Sequence, residues 1–112
     1  LVRIERVVKQ YEKPFLFIEA GCPSRCGSGA RPNDWNLVGE PNEEEQASFY
    51  REMFSECAKQ SWVRGFALWD WPVHLYAPEE ASQNDDYCMY GKEAEGVVHD
   101  FYVHGRIDVV KA

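Results

Sequence analysis

The sequence predicts an α/β fold with a parallel sheet, and three observations support this prediction. Two apolar runs, residues 15–18 and 65–69, have the length and composition of buried strands. Amphipathic segments precede, separate and follow these runs, so the predicted order is helix, strand, helix, strand, helix. Alternation of this kind is typical of β–α–β units, whose strands lie parallel in one sheet.

The first predicted helix ends at a proline and leads into the first strand. Its apolar residues recur at helical spacing: Leu1, Ile4, Val8 and Tyr11. Pro14 ends this helix, because the residue before a proline is driven out of the helical region. Residues 15–18 lack the polar alternation of a half-exposed strand. They therefore predict a strand covered on both faces, as parallel sheets require.

The second predicted helix has a clear N-terminal signal. Asn42 is a favourable N-cap, and the acidic residues 43–45 that follow suit the positive end of the helix dipole. The predicted apolar stripe of this helix consists of Ala47, Tyr50, Phe54, Cys57 and Ala58. Trp62 lies just before the second strand, and we expect it to be a core residue.

The third helix is predicted over residues 93–102, and an ambiguous tail follows it. One face of this helix is apolar: Ala94, Val97, Val98 and Phe101. In the tail, Ile107, Val109 and Val110 fit either a short strand or a frayed end. Two strands cannot form a stable parallel sheet alone, because each needs neighbours for its backbone hydrogen bonds. The pattern therefore predicts a sheet with more strands than this chain contains.

Composition limits the function classes. The chain has 112 residues, 45% hydrophobic and 14% aromatic, which is enough for one modest core. Its net charge of −7 disfavours binding to nucleic acid and to anionic membrane surfaces. No apolar stretch reaches the roughly 18 residues of a membrane span. The N-terminus has neither an initiator Met nor a signal-peptide core. A segment of a longer protein and a processed end are both consistent with this start.

The candidate functional residues follow the two predicted strands. The first strand ends at Glu19, and the second is followed by Trp69, Asp70 and Trp71. Long irregular segments come next in both cases, and the carboxyl ends of parallel strands are where chemistry takes place in this fold class. Burying a carboxylate is unfavourable unless it is paired or used. Catalysis at Glu19 is one interpretation, and a structural acid that caps a turn is the other.

The combination of carboxylates with aromatic rings indicates carbohydrate. Sugar rings stack their C–H faces on aromatic side chains, and cleavage of a glycosidic bond uses two carboxyl groups. The two loops contain six such aromatic residues: Trp35, Trp69, Trp71, Tyr76, Tyr87 and Tyr90. The alternative is that several of these rings belong to the core.

Four motifs together resemble glycoside hydrolase family 113. Residues 13–21 (KPFLFIEAG) and 31–35 (RPNDW) are similar to that family's seventh strand and the loop after it. Residues 65–71 (GFALWDW) resemble its eighth strand, and residues 92–95 resemble the start of its closing helix. The resemblance extends over about residues 13–102. It implies that residues 1–112 are one segment, the C-terminal part of a (β/α)8 TIM barrel, with strands seven and eight and their flanking helices.

The resemblance also implies a function, because known members of the family are β-mannanases. Glu19 would be the nucleophile of a retaining mechanism. Trp69 would form the floor of the subsite for the reacting sugar, followed by a cis peptide bond to Asp70. Trp35 and Arg31 would line the adjacent loop, and Trp71 is a further predicted substrate-binding residue. The implied partners are an oligo- or polysaccharide substrate and the rest of the barrel. Family members are often exported, so a secreted or periplasmic location is expected.

One part of the catalytic machinery is missing from the sequence. The resemblance places the acid/base Glu at the end of a fourth strand, which this chain does not contain. Asp70 is a poor substitute, because side chains alternate along a strand and its own should point away from that of Trp69. We therefore expect the chain alone to be inactive and the intact protein to be a glycoside hydrolase. The alternative is a non-catalytic carbohydrate-binding or interaction domain, derived from a barrel and completed by a partner chain or an oligomer.

The sequence predicts neither a metal site nor a cofactor. Cys22 and Cys26, with Cys88 and His74, lack the usual ligand spacing of zinc sites, so loop thiols or a local disulfide are the preferred interpretation. The acidic pair at residues 85–86 lacks the alternation of a calcium loop and is interpreted as surface charge.

Overall fold

The predicted order of elements is confirmed. The computed structural model describes residues 1–105. The elements are α1 (Val2–Tyr11), β1 (Phe15–Ala20), α2 (Glu43–Ala58), β2 (Val63–Leu68), a 3₁₀ helix (Pro78–Gln83) and α3 (Glu93–His104). The ambiguous tail residues Ile107, Val109 and Val110 lie outside the described residues. None of the helices within residues 1–105 is both long and apolar enough to cross a membrane.

The two strands pair in parallel, as the sequence predicts. Phe17 of β1 lies opposite Phe66 of β2, and Ala20 lies opposite Leu68. The register is irregular between Phe17 and Ala20, so Glu19 lies where the regular ladder is interrupted. Such irregularities change the direction in which side chains point relative to strict alternation.

The core lies on one face of the sheet, between the strands and the helices α2 and α3. Its buried side chains are Ala47, Tyr50, Phe54, Met89, Ala94 and Val97. Phe54 stacks on Phe101 with 4.1 Å between ring centroids, and Phe66 of the sheet packs edge-on against Phe54 at 5.3 Å. Most of the predicted stripe of α2 is therefore confirmed. Ala58 is a correction: it is the last residue of α2 and is exposed.

The other face of β1 is not covered by the described residues. Leu16 is 55% exposed and Ile18 is 83% exposed. The prediction of a strand covered on both faces is therefore wrong for residues 1–105, which supply two strands and a helical layer on the Phe66 side only. Trp62 is half-buried and packs edge-on against Phe15, with 5.6 Å between the ring centroids.

Asn42 caps α2, as predicted, and this contact can be tested. Its side-chain oxygen accepts a hydrogen bond from the backbone N–H of Glu45 at 3.0 Å. We expect Asn42→Ala to lower the free energy of unfolding of the intact protein by about 1 kcal/mol, because that N–H loses its partner. Asn42→Ser keeps a capping oxygen and is expected to stay within about 0.5 kcal/mol of wild type. Urea denaturation measures both variants, and equal losses would rule out the capping role.

Candidate active site

The site lies where the carboxyl ends of β1 and β2 meet. Glu19 is the second-last residue of β1, and Trp69 directly follows β2. The backbone N–H of Trp69 donates to the carbonyl oxygen of Ala20 at 2.8 Å. Parallel pairing thus continues one residue past β2 and brings Trp69 beside the residue that follows Glu19.

The backbone of Trp69 is held tightly on two sides. The hydroxyl of Tyr50 in α2 donates to the Trp69 carbonyl oxygen at 3.3 Å, and burial raises the pKa of this tyrosine. On the other side, a Cβ built on Gly21 would lie 2.0 Å from the same oxygen, so only glycine fits there. The peptide bond between Trp69 and Asp70 is cis, which confirms the geometry that the sequence resemblance implies.

A cavity of about 280 Å³ opens at this position. Glu19 and Trp69 both line it, together with Asn33 and Trp35 from the loop after β1 and Tyr87 from the loop after β2. The remaining wall is mostly apolar and includes Phe17, Phe49 and Met53. A concave, largely apolar site with a few polar groups is the usual form of a small-ligand site in proteins.

The aromatic rings of the cavity form a connected group. The ring centroids of Trp35 and Trp69 are 6.1 Å apart at an interplanar angle of 71°, and those of Trp35 and Tyr87 are 4.9 Å apart at 38°. Trp35 is 62% exposed and Trp69 is 40% exposed. Both indoles therefore keep surface that can contact the C–H face of a sugar.

The carboxylate of Glu19 is accessible. The side chain is exposed, and no basic side chain within residues 1–105 forms an ion pair with it. Glu19 is thus presented in the aromatic cavity rather than neutralised by a structural partner. An accessible carboxylate that lines the same cavity as two indoles is available for contact with a bound ligand.

The sequence matches Glycoside Hydrolase Family 113 over residues 1–92. The chain belongs to this family. A solved β-1,4-mannanase of family 113 is 55% identical, with a TM-score of 0.88 over 90% of this chain and 33% of that chain. A second solved β-1,4-mannanase, in a complex, is 54% identical, with a TM-score of 0.89 and the same coverage.

A third family 113 structure is more distant in sequence. The β-mannanase AaManA from Alicyclobacillus acidocaldarius, solved in complex with ManMIm, is 44% identical, with a TM-score of 0.86 over 90% of this chain and 32% of that chain. The present chain thus spans about a third of the length of the solved proteins it matches. It folds as an α/β portion of the family 113 TIM barrel. A comparison with curated proteins gives no match.

Two of the predicted binding residues do not line the cavity. Arg31 is exposed and forms an ion pair with Asp34 at 3.3 Å, a contact within its own loop. Trp71 is half-exposed and packs edge-on against Tyr90, with 5.7 Å between ring centroids. Of the predicted site residues, Glu19, Trp35 and Trp69 line the same cavity. The substrate-binding roles of Arg31 and Trp71 stay predictions.

Asp70 does not line the cavity either. Burial raises the pKa of its carboxyl group, the nearby Asp86 adds to this shift, and Lys92 opposes it. Asp70 is thus adjacent to Trp69 in sequence but does not share the cavity with Glu19.

Tyr87 is the residue that sequence reasoning passed over. It is one of the six loop aromatics, but nothing local distinguishes it from Tyr76 or Tyr90. In the structure it is buried, which raises its pKa, and its hydroxyl donates to the carbonyl oxygen of Pro32 at 2.8 Å. Pro32 and Asn33 also line the cavity, and both belong to the motif at residues 31–35. That motif was the only sequence signal for the part of the cavity wall that Tyr87 contacts.

The four cysteines differ in burial: Cys22, Cys57 and Cys88 are buried, and Cys26 is exposed. All four are thiols, which favours the loop-thiol interpretation over a local disulfide. Cys22 is buried and makes a hydrogen bond of 3.2 Å with the Ser28 hydroxyl, and burial raises its pKa. Cys57 is buried in α2, as predicted. Across residues 1–105, no group of three or more histidine, cysteine and acidic side chains is placed to hold a metal ion.

Proposed function

We propose that this chain supplies the nucleophile and part of the sugar-binding surface of a retaining β-mannanase. The observation that carries the proposal is the position of Glu19, whose carboxylate shares one cavity with Trp69 and Trp35 at the carboxyl ends of two parallel strands. In this proposal β1 and β2 are the seventh and eighth strands of the barrel, and Trp69 forms the floor beneath the reacting sugar.

The proposed reaction proceeds through a covalent glycosyl-enzyme. A carboxylate oxygen of Glu19 bonds to the anomeric carbon while the glycosidic C–O bond breaks, and the leaving oxygen takes a proton from a second carboxylic acid. Water then attacks the anomeric carbon while the second group removes the proton of the water. The bond between the anomeric carbon and the Glu19 oxygen breaks, and Glu19 is released as a carboxylate. This mechanism needs the two carboxyl groups roughly 5–5.5 Å apart.

The second carboxyl group is proposed to come from the rest of the barrel, at the end of its fourth strand. Asp70 is a poor source because it lies outside the cavity that contains Glu19. The exposed side chains of Leu16 and Ile18 support the proposal that further strands complete the sheet. A two-stranded parallel sheet with an exposed apolar face is unstable alone. We expect residues 1–112 by themselves not to hydrolyse carbohydrate.

The proposed substrate is a β-1,4-linked mannan or its oligosaccharides. Support comes from the solved relatives, which are described as β-1,4-mannanases and are 54–55% identical to this chain. The exposed indoles of Trp35 and Trp69 suit stacking against pyranose rings. A secreted or periplasmic location is proposed for the intact protein, by analogy with exported polysaccharide-degrading enzymes.

A trapping experiment on the intact protein tests the role of Glu19. A 2-deoxy-2-fluoro-mannoside with a good leaving group should form the glycosyl-enzyme quickly and hydrolyse slowly, because fluorine destabilises both oxocarbenium-like transition states. We expect mass spectrometry to find the added sugar on the peptide that contains Glu19.

The control for this experiment is Asp70→Asn, which is expected to be labelled at the same peptide as wild type. A label on any other carboxylate would refute the assignment of Glu19. Binding of mannohexaose without any labelling would instead favour the non-catalytic carbohydrate-binding function.

A further inference from the structure

We propose that Tyr87 is a positioning residue for carbohydrate binding, which acts by fixing Trp35 at the wall of the cavity. Trp35 belongs to the loop after β1, and Tyr87 belongs to the loop after β2. The inference rests on the proposed function, because it concerns how the same cavity presents one of its indoles to a sugar.

Tyr87 holds the Trp35 segment through two separate contacts. Its hydroxyl donates to the carbonyl oxygen of Pro32 at 2.8 Å, three residues before Trp35. Its ring lies against the indole, with 4.9 Å between the centroids. One side chain therefore restrains both the backbone and the ring of the Trp35 segment. Among residues 1–105 the indole itself is 62% exposed, so little other surface within this range holds it.

The backbone of Tyr87 is itself held by a buried side chain of α2. The side-chain amide of Gln46, fully buried in α2, donates to the carbonyl oxygen of Tyr87 at 3.1 Å and to that of Cys22 at 3.0 Å. The backbone N–H of Ser24 also donates to the carbonyl oxygen of Asp86 at 3.0 Å. The two loops are therefore joined directly beneath the aromatic wall. Restraint passes from α2 through Tyr87 to Trp35.

This arrangement lowers the entropy that is lost when sugar binds. An exposed indole on a long loop must be immobilised before it can stack on a pyranose ring. Tyr87 performs that immobilisation in the unliganded protein, in an orientation that sets the Trp35 ring at 71° to the ring of Trp69. Removing the restraint should weaken binding by about 2- to 10-fold, the usual effect of leaving one such side chain to be ordered by the ligand.

A double-mutant cycle in the intact protein tests the proposal. Wild type, Tyr87→Phe, Trp35→Ala and the double variant are compared by KM and kcat on mannohexaose, with thermal unfolding measured in parallel. Tyr87→Phe removes only the hydroxyl that holds Pro32. We expect it to raise KM about 2- to 10-fold with little change in kcat. In the Trp35→Ala background the same substitution is expected to have no further effect on KM, because the residue through which it acts is absent.

Tyr102→Phe is the matched control, because this tyrosine is exposed on α3. It is expected to leave KM unchanged. An equal rise in KM from Tyr87→Phe in both Trp35 backgrounds would overturn the inference. So would a loss of thermal stability with unchanged KM, which indicates a purely structural contact. Failure of the wild-type protein to bind or cleave mannohexaose is a different result: it refutes the proposed function, and the inference with it.

Discussion

Glu19→Gln in the intact protein is expected to lower kcat by on the order of 10³- to 10⁶-fold, as removal of a covalent nucleophile does in other enzymes. The amide is nearly isosteric with the carboxylate but is neutral and a poor nucleophile, so the glycosyl ester does not form. Binding of mannohexaose is expected to remain within a few-fold of wild type, because Trp35 and Trp69 still line the cavity. Steady-state kinetics and calorimetric titration measure the two quantities separately.

The matched control is Glu40→Gln, which neutralises an exposed carboxylate elsewhere in the same loop region. It is expected to keep wild-type kcat. Chemical rescue then separates a nucleophile from an acid/base residue. In Glu19→Ala, azide can enter the vacated space and bond to the anomeric carbon of an activated mannoside, giving a product of inverted configuration. A rescued product that retains its configuration, or unchanged turnover in Glu19→Gln, would contradict the nucleophile assignment.

The elements could be predicted because their signals are local. The Asn42 cap, the break at Pro14 and the apolar runs each depend on a few neighbouring residues, and the structure confirms all of them. Parallel pairing followed from the alternation of helices and strands. The location of Glu19 and Trp69 in one cavity followed in turn, because the carboxyl ends of parallel strands share one edge of the sheet.

Other features depend on long-range packing and could not be predicted. Tyr87 contacts Pro32 across 55 residues, and its position depends on the paths of two irregular loops. The exposure of Ile18 could not be read from its apolar run, because burial depends on which neighbours are present. Ala58 fits the periodicity of α2, but it is exposed at the last residue of that helix. In each case the residue type is uninformative until the surrounding structure is known.

One added methyl group at Gly21 is expected to disrupt the close packing between Gly21 and the backbone of Trp69. In Gly21→Ala the added Cβ would lie 2.0 Å from the carbonyl oxygen and 3.0 Å from the carbonyl carbon of Trp69. Both atoms are backbone, and that oxygen also accepts from Tyr50, so neither can move aside without disturbing the cavity wall. We expect a loss of about 1–3 kcal/mol in the free energy of unfolding of the intact protein, as overpacking usually causes.

We expect Gly21→Ala to lower kcat/KM more strongly than it lowers the stability of the folded protein. The substitution separates the two strand ends that bring Glu19 and Trp69 together, and a displacement of about 1 Å at a reacting centre lowers rates by about 100-fold. Gly96→Ala is the opposing control, because Gly96 lies within α3 and its added Cβ would meet no neighbouring atom of the described residues within 4 Å. It is expected to stabilise the protein by about 0.5–1 kcal/mol with unchanged kcat/KM. If Gly21→Ala instead unfolds like wild type and keeps its kcat/KM, the close approach of these strand ends does not control the geometry of the site.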